Sequence, residues 1–130
     1  MGSEGDFVTR LRHTRYPEVT PYRTKDGSEI RELMHPAVQG NTEQSLAEAT
    51  LPVGGKTLLH LHYRSEELYH VSSGEGWLQL GGDRIAIGPG DTICIAPGTA
   101  HRLENSGTEP LRVLCCCSPP YSHGDTELLE

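Results

Sequence analysis

Two histidines one residue apart, His60 and His62, follow a Pro52-Val-Gly-Gly55 break and precede the acidic pair Glu66-Glu67. Residues two apart on a β-strand point to the same side. A strand over Thr57–Tyr63 therefore projects both imidazoles from one face. A fold that buries such a pair must bring up polar partners from other strands, or lose several kcal/mol to unsatisfied nitrogens. A second segment bounded by Gly and Pro, Pro89 to Asn105, carries a further imidazole, His101. Three imidazoles and a carboxylate would complete a metal site. That donor set suits iron, manganese, nickel, cobalt, copper or zinc. Strand parity alone leaves the carboxylate open. Glu67 shares a face with Tyr69 and Val71, and Glu66 with Leu68 and His70.

The rest of the chain reads as short strands between turns. Fifteen glycines and nine prolines punctuate it at close intervals, the pattern of a barrel or sandwich. Strands are expected at Ile30–Met34, Ser45–Leu51, Thr57–Tyr63, Glu67–Val71, Trp77–Leu80, Arg84–Ile87, Ile93–Ala96, His101–Asn105 and Leu111–Cys116. Gly81-Gly82-Asp83 marks a hairpin turn, and Pro119-Pro120 ends regular pairing. No segment has a convincing helical period. About nine strands are more than an isolated sheet holds without curling or closing.

The two His-bearing segments resemble the two sequence motifs of the cupin superfamily. The first motif has His-x-His, four residues, Glu, six residues, Gly; His60, His62, Glu67 and Gly74 match it. The second has Pro-Gly, two residues, His, three residues, Asn; Pro97, Gly98, His101 and Asn105 match it. Gly55 stands one residue closer to the His pair than the commonest spacing, and Gly90 one residue further from its Pro. The resemblance covers roughly Gly55 to Asn105. It implies an all-β fold, a small antiparallel barrel of jelly-roll type, with one divalent transition metal held inside by His60, His62, Glu67 and His101. The spacing back from Gly74 selects Glu67 over Glu66. Arg64, in the string from His60 to Glu67, adds a local likeness to the cupin domain of mannose-6-phosphate isomerases.

Length fits one domain: an N-terminal arm over 1–27, and a barrel over 28–130 with a C-terminal tail from about 118. The net charge of −7, from 11 basic and 18 acidic residues, argues against binding nucleic acid. No apolar run is long enough to span a bilayer, and Met1–Arg10 has no signal-like apolar stretch. A cytoplasmic protein is expected. Cys94 and the run Cys115-Cys116-Cys117 suit a reducing compartment, where they read as small buried hydrophobes. The sharper alternative is a thiol near the metal, and nothing in the sequence places one there. The arm is poor in aliphatic residues but carries Phe7, Val8, Leu11, Tyr16 and Tyr22, which need a surface to cover them. An arm crossing to a second copy would make a homodimer; the competing readings are an arm wrapped on its own barrel and a disordered tail.

The expected function is metal-dependent chemistry on a small oxygen-rich molecule, by dioxygenase or isomerase action. The alternative is a non-catalytic, carbohydrate-like binding or sensor domain. Tyr69 is the candidate catalytic residue, since its parity points it where Glu67 points and its hydroxyl could bind or protonate a substrate; a core tyrosine is the plain reading. His70 is expected on the outer sheet face. His13, His35 and His123 fall in loops or tails, with His123 a candidate cap for the barrel mouth.

Overall fold

Alternation of buried and more exposed side chains builds the central strands. In Glu66–Ser73 the residues Glu67, Tyr69 and Val71 are buried, while Glu66, Leu68, His70 and Ser72 are exposed. Leu111–Ser118 buries Leu111, Val113, Cys115 and Cys117 in the same way. The computed structural model describes residues 11–130. In it the strands are β1 (Tyr22–Arg23), β2 (Glu29–Met34), β3 (Ser45–Leu51), β4 (His60–His62), β5 (Glu66–Ser73), β6 (Gly76–Leu80), β7 (Asp83–Ile87), β8 (Thr92–Ile95), β9 (His101–Asn105), β10 (Leu111–Ser118) and β11 (Thr126–Leu128).

They form two antiparallel sheets. One runs β1-β2-β3-β10-β5-β8 and the other β11-β4-β9-β6-β7. The core between them is aliphatic at one end, with Leu51, Val71, Leu78, Ile87, Leu103, Leu111 and Val113. The register then grades it toward polarity. Leu111 lies beside Leu51, Val113 between Ala49 and Val71, Cys115 between Ala47 and Tyr69, and Cys117 between Ser45 and Glu67. One end of the barrel is thus an apolar plug that stabilises the fold, and the other is a polar chamber.

The motif residues outside the ligand set are structural. Gly74 has φ +85°, and a Cβ there would lie 2.5 Å from the Pro110 carbonyl oxygen, so a side chain would force the β5–β6 turn off β10. The Gly98 amide donates to the His62 carbonyl at 2.7 Å, which ties the turn before β9 to the ligand strand. Asn105 donates to the carbonyls of Leu51 and Glu109 and accepts from the Gly107 amide. It therefore serves three backbone groups that would otherwise be unpaired.

Several boundaries differ from the sequence expectation. The His strand is regular only over His60–His62; before it, the Thr57 amide bonds Leu103 and the Leu58 amide bonds Asp26, so the backbone alternates between partners. Pro119-Pro120 does end β10, yet the chain returns as β11 to pair with β4, giving eleven strands among the described residues. The loop after Met34 holds one helical turn, α1 (Pro36–Gln39), capped by His35. The segment from Leu11 to Gly27 lies on its own barrel. Tyr22 and Arg23 pair with β2, Thr14 donates to Leu33, and the Tyr16 hydroxyl donates to Glu48 at 2.5 Å. Phe7 and Val8 fall outside the described residues.

Candidate metal centre

The chamber gathers side chains from both sheets. His60 and His101 are cross-strand partners on β4 and β9, and His62 sits two residues on, facing the same way. All three are buried, at 2%, 0% and 4% exposure, and their nearest ring nitrogens lie within 4.8 Å of one another. Glu67 reaches them from the opposite sheet on β5 and is 5% exposed. Glu66 points to solvent, as the motif spacing requires.

Each imidazole is held from behind. His60 Nδ1 meets the Leu58 carbonyl at 2.7 Å, His101 Nδ1 the Thr99 carbonyl at 2.9 Å, and His62 Nδ1 the Thr126 hydroxyl at 2.9 Å. A carbonyl can only accept, so His60 and His101 carry their proton on Nδ1. Thr126 donates its own hydroxyl to the Ser122 carbonyl at 2.8 Å, so its oxygen accepts from His62. This network assigns all three tautomers. Every Nε2 then presents a lone pair to the chamber, the arrangement in which a backing partner orients a ligating histidine.

Glu67 makes the consequence plain. Its Oε1 lies 3.2 Å from His62 Nε2 and 3.3 Å from His101 Nε2. Neither Oε1 nor His101 Nε2 has an aligned hydrogen-bond partner. Lone pairs facing a carboxylate at that range repel unless a proton or a metal cation sits among them. Two donors about 2.1 Å from one ion and 90–110° apart are themselves about 3.0–3.4 Å apart, which is the separation found here. The donor set therefore fits a divalent transition metal, and loading it would displace a proton.

The surroundings modify these groups. Burial pushes the Glu67 carboxyl up, but in the metal-free chain a proton on His101 or His62 Nε2 outweighs it and leaves the group at about 2. Burial lowers the His60 imidazole below its ordinary 6.5, and His101 adds to the effect. Cys117 donates its thiol to Glu67 Oε2 at 3.4 Å. Burial and the Glu67 charge raise that thiol far above its ordinary range, so it remains a donor. Cys115 and Cys117 both line the chamber. The reading of the cysteines as small buried hydrophobes holds for Cys115 and Cys117, which parity turns inward, and is corrected for Cys116, which is half-buried, and for Cys94, which is exposed.

Tyr69 is both a core residue and a chamber residue, with its ring 5.9 Å from that of His101. Burial, then the Glu67 charge, holds its hydroxyl protonated. His70 lies on the outer face, bonded to the Thr92 hydroxyl. His123 is exposed and contacts the Tyr121 hydroxyl, and Tyr121 itself lines the chamber mouth.

Several lining residues, Asp26, Glu32 and Thr126 among them, have no counterpart among the sequence candidates. Asp26, which looked like a turn residue, places Oδ2 3.5 Å from His60 Nε2. Thr126, in an unpatterned tail, fixes the His62 tautomer. The residues of the Asp26-Gly27 turn carried a turn signal only, and those of β11 carried none.

Residues 47–117 match the cupin domain family profile. An uncharacterized protein of Methanocaldococcus jannaschii is 55% identical over 124 residues, covering 95% of this chain and 99% of that protein. Among solved structures, a predicted oxalate decarboxylase of Thermotoga maritima superposes with a TM-score of 0.72 at 28% identity, covering 81% of this chain and 96% of that one. The polyketide cyclase RemF of Streptomyces resistomycificus gives 0.78 at 20% identity, covering 92% and 86%. Motif, barrel and profile coincide: the chain belongs to the cupin family.

Proposed function

We propose that the chamber is the active site of a metal-dependent enzyme acting on a small oxygen-rich molecule, and that isomerase chemistry fits it better than dioxygenase chemistry. The observation that carries the reading is the convergence of three Nε2 lone pairs and an unpartnered Glu67 oxygen on one buried point. His60, His62, His101 and Glu67 would hold iron, manganese, nickel, cobalt, copper or zinc. When bound, such an ion supplies Lewis acidity toward a carbonyl or an enolate oxygen.

The chain's own residues do the rest. Tyr69, kept protonated, can donate to a substrate oxygen at the inner end of the chamber. Glu67 holds its charge, steadied by the Cys117 thiol. The apolar plug of the barrel closes the inner end against water. Cys115 and Cys117 line the chamber as buried, protonated thiols; what favours isomerase chemistry is the proton that Tyr69 can supply to a substrate oxygen beside the ion. The free volume is about 50 Å³, on a measure where one water takes about 10–15 Å³. It suits a compact substrate rather than a fused-ring one.

The test is metal analysis of natively purified protein, then a substrate screen with and without oxygen. Turnover without oxygen, with solvent deuterium entering the product carbon, is the expected result. Turnover coupled to oxygen uptake sinks the isomerase reading, and tight binding without turnover points to a sensor.

A homodimer and a cytoplasmic setting belong to the same proposal. On the outer face of the larger sheet, Leu46, Cys116, Leu68 and Cys94 form a cross-strand row over β3, β10, β5 and β8. Leu46 and Leu68 are 37% and 41% exposed. Such a row gains from burial against a second copy. The four unpaired cysteines suit a reducing compartment. Among the described residues no helix is long and apolar enough to cross a membrane.

A further inference from the structure

We infer that the chamber selects an uncharged hydroxy-carbonyl compound, with Asp26 and Glu32 accepting its hydroxyl protons. The inference rests on the metal-enzyme reading above and narrows its substrate class. It begins with the charges that line the cavity. Asp26, Glu32 and Glu67 are there, and among the described residues no lysine or arginine is. Lys25 is adjacent in sequence, but its ammonium is spent on the backbone carbonyls of His123 and Thr126, at 3.3 and 2.8 Å.

Glu67 belongs to the metal centre. The other two carboxylates are each half occupied. Asp26 Oδ1 accepts from the Ser28 amide at 2.9 Å and the Ser28 hydroxyl at 2.7 Å. Those bonds fix the carboxylate and leave Oδ2 turned toward His60. Glu32 Oε2 accepts from the Tyr22 hydroxyl at 3.1 Å, while its Oε1 is buried with no partner. A ligand entering between them meets acceptors, so it must bring donors. Hydroxyl groups answer that demand. A carboxylate or phosphate group would face like charge without a countercharge on the wall. An ammonium group would oppose a divalent ion at the far end. A dication with Glu67, Asp26 and Glu32 leaves the cavity one negative charge in surplus, which opposes an anionic guest. The free volume of about 50 Å³ sets its size on the order of three to six non-hydrogen atoms.

The experiment uses the full chain loaded with cobalt(II), whose visible spectrum reports ligands reaching the metal without any turnover. Four three-carbon probes of five or six non-hydrogen atoms are titrated: dihydroxyacetone, lactate, pyruvate and aminoacetone. The expected result is a spectral change with dihydroxyacetone, and binding at least about tenfold weaker for the three charged probes. Asp26→Asn and, separately, Glu32→Gln should each weaken dihydroxyacetone binding about tenfold, with cobalt stoichiometry measured alongside. A charged probe binding as tightly as dihydroxyacetone overturns the inference, and so does a spectrum that no probe changes. Dihydroxyacetone bound but never interconverted sinks the isomerase reading and keeps the inference. A charged probe that binds and turns over does the reverse.

Discussion

Thr126→Val should weaken metal binding more than any other change outside the donor set. The substitution keeps the shape of the side chain and removes only its hydroxyl. Thr126 is 5% exposed, so water does not replace what is lost. The His62 Nδ1–H loses its acceptor at 2.9 Å, and the Ser122 carbonyl loses its donor at 2.8 Å. An unsatisfied buried donor costs about 1–3 kcal/mol. Loss of the group that orients a ligating histidine typically costs about 10–100-fold in metal affinity, which is about 1.4–2.7 kcal/mol. The two figures agree. The assay is competition for zinc or cobalt against a chelator of known affinity, with circular dichroism to verify the fold. Thr126→Ser, which keeps the oxygen, should bind within a few-fold of wild type. Thr92→Val removes the partner of the outward His70 and should change nothing. Equal affinity for Thr126→Val and wild type would refute the tautomer assignment at His62.

Three further outcomes are expected. His101→Ala or His62→Ala should empty the site while His70→Ala leaves metal content near wild type, read by elemental analysis; the opposite result for His70, with Glu67→Ala still loaded, would mean that Glu66 is the ligand. The metal-free chain should soften in acid: Glu67 at about 2 against its ordinary 4.5, and His60 below 6.5, both bind protons more weakly folded than unfolded. Their stabilisation is therefore full above those ordinary values and is lost as pH falls, first through 6.5 and then between 4.5 and 2, so urea midpoints that stay flat from pH 7 to pH 4 would contradict it. Leu68→Glu should turn a homodimer into a monomer by light scattering while the melting temperature of the barrel shifts little, and a wild-type chain that is monomeric at micromolar concentration removes the dimer.

The ligand strands were readable because their information is local. His60 and His62 share a face by parity alone, and the spacing to Gly74 separates Glu67 from Glu66. Parity also orders Cys115, Cys116 and Cys117 in, out and in, although where the inward pair would end up depended on the β10 register against β5. Asp26 and Thr126 were beyond reach for a different reason. Each enters the chamber through a pairing across the molecule, β1 with β2 on one side and β11 with β4 on the other. Nothing in Lys25-Asp26-Gly27 or Asp125-Thr126-Glu127 distinguishes them from ordinary surface turns. The N-terminal segment shows the same limit. Its apolar side chains called for a surface, yet the described part reaches its own barrel through the hydroxyls, Tyr16 to Glu48 and Tyr22 to Glu32, while Leu11, Tyr16 and Tyr22 stay exposed.

The candidate metal ligands arrive on β4, β5 and β9, and the groups that orient or flank them lie as far apart as Asp26 and Thr126. A half-formed barrel offers an ion nothing to hold. The chain must first close its long loops, a slow step that local contacts do not reward. Contacts made only after the transition state act on unfolding and leave the folding rate alone. An ion bound there would be a latch on the finished molecule rather than a template for making it. A cell short of metal would fold this chain at the usual speed and lose it sooner.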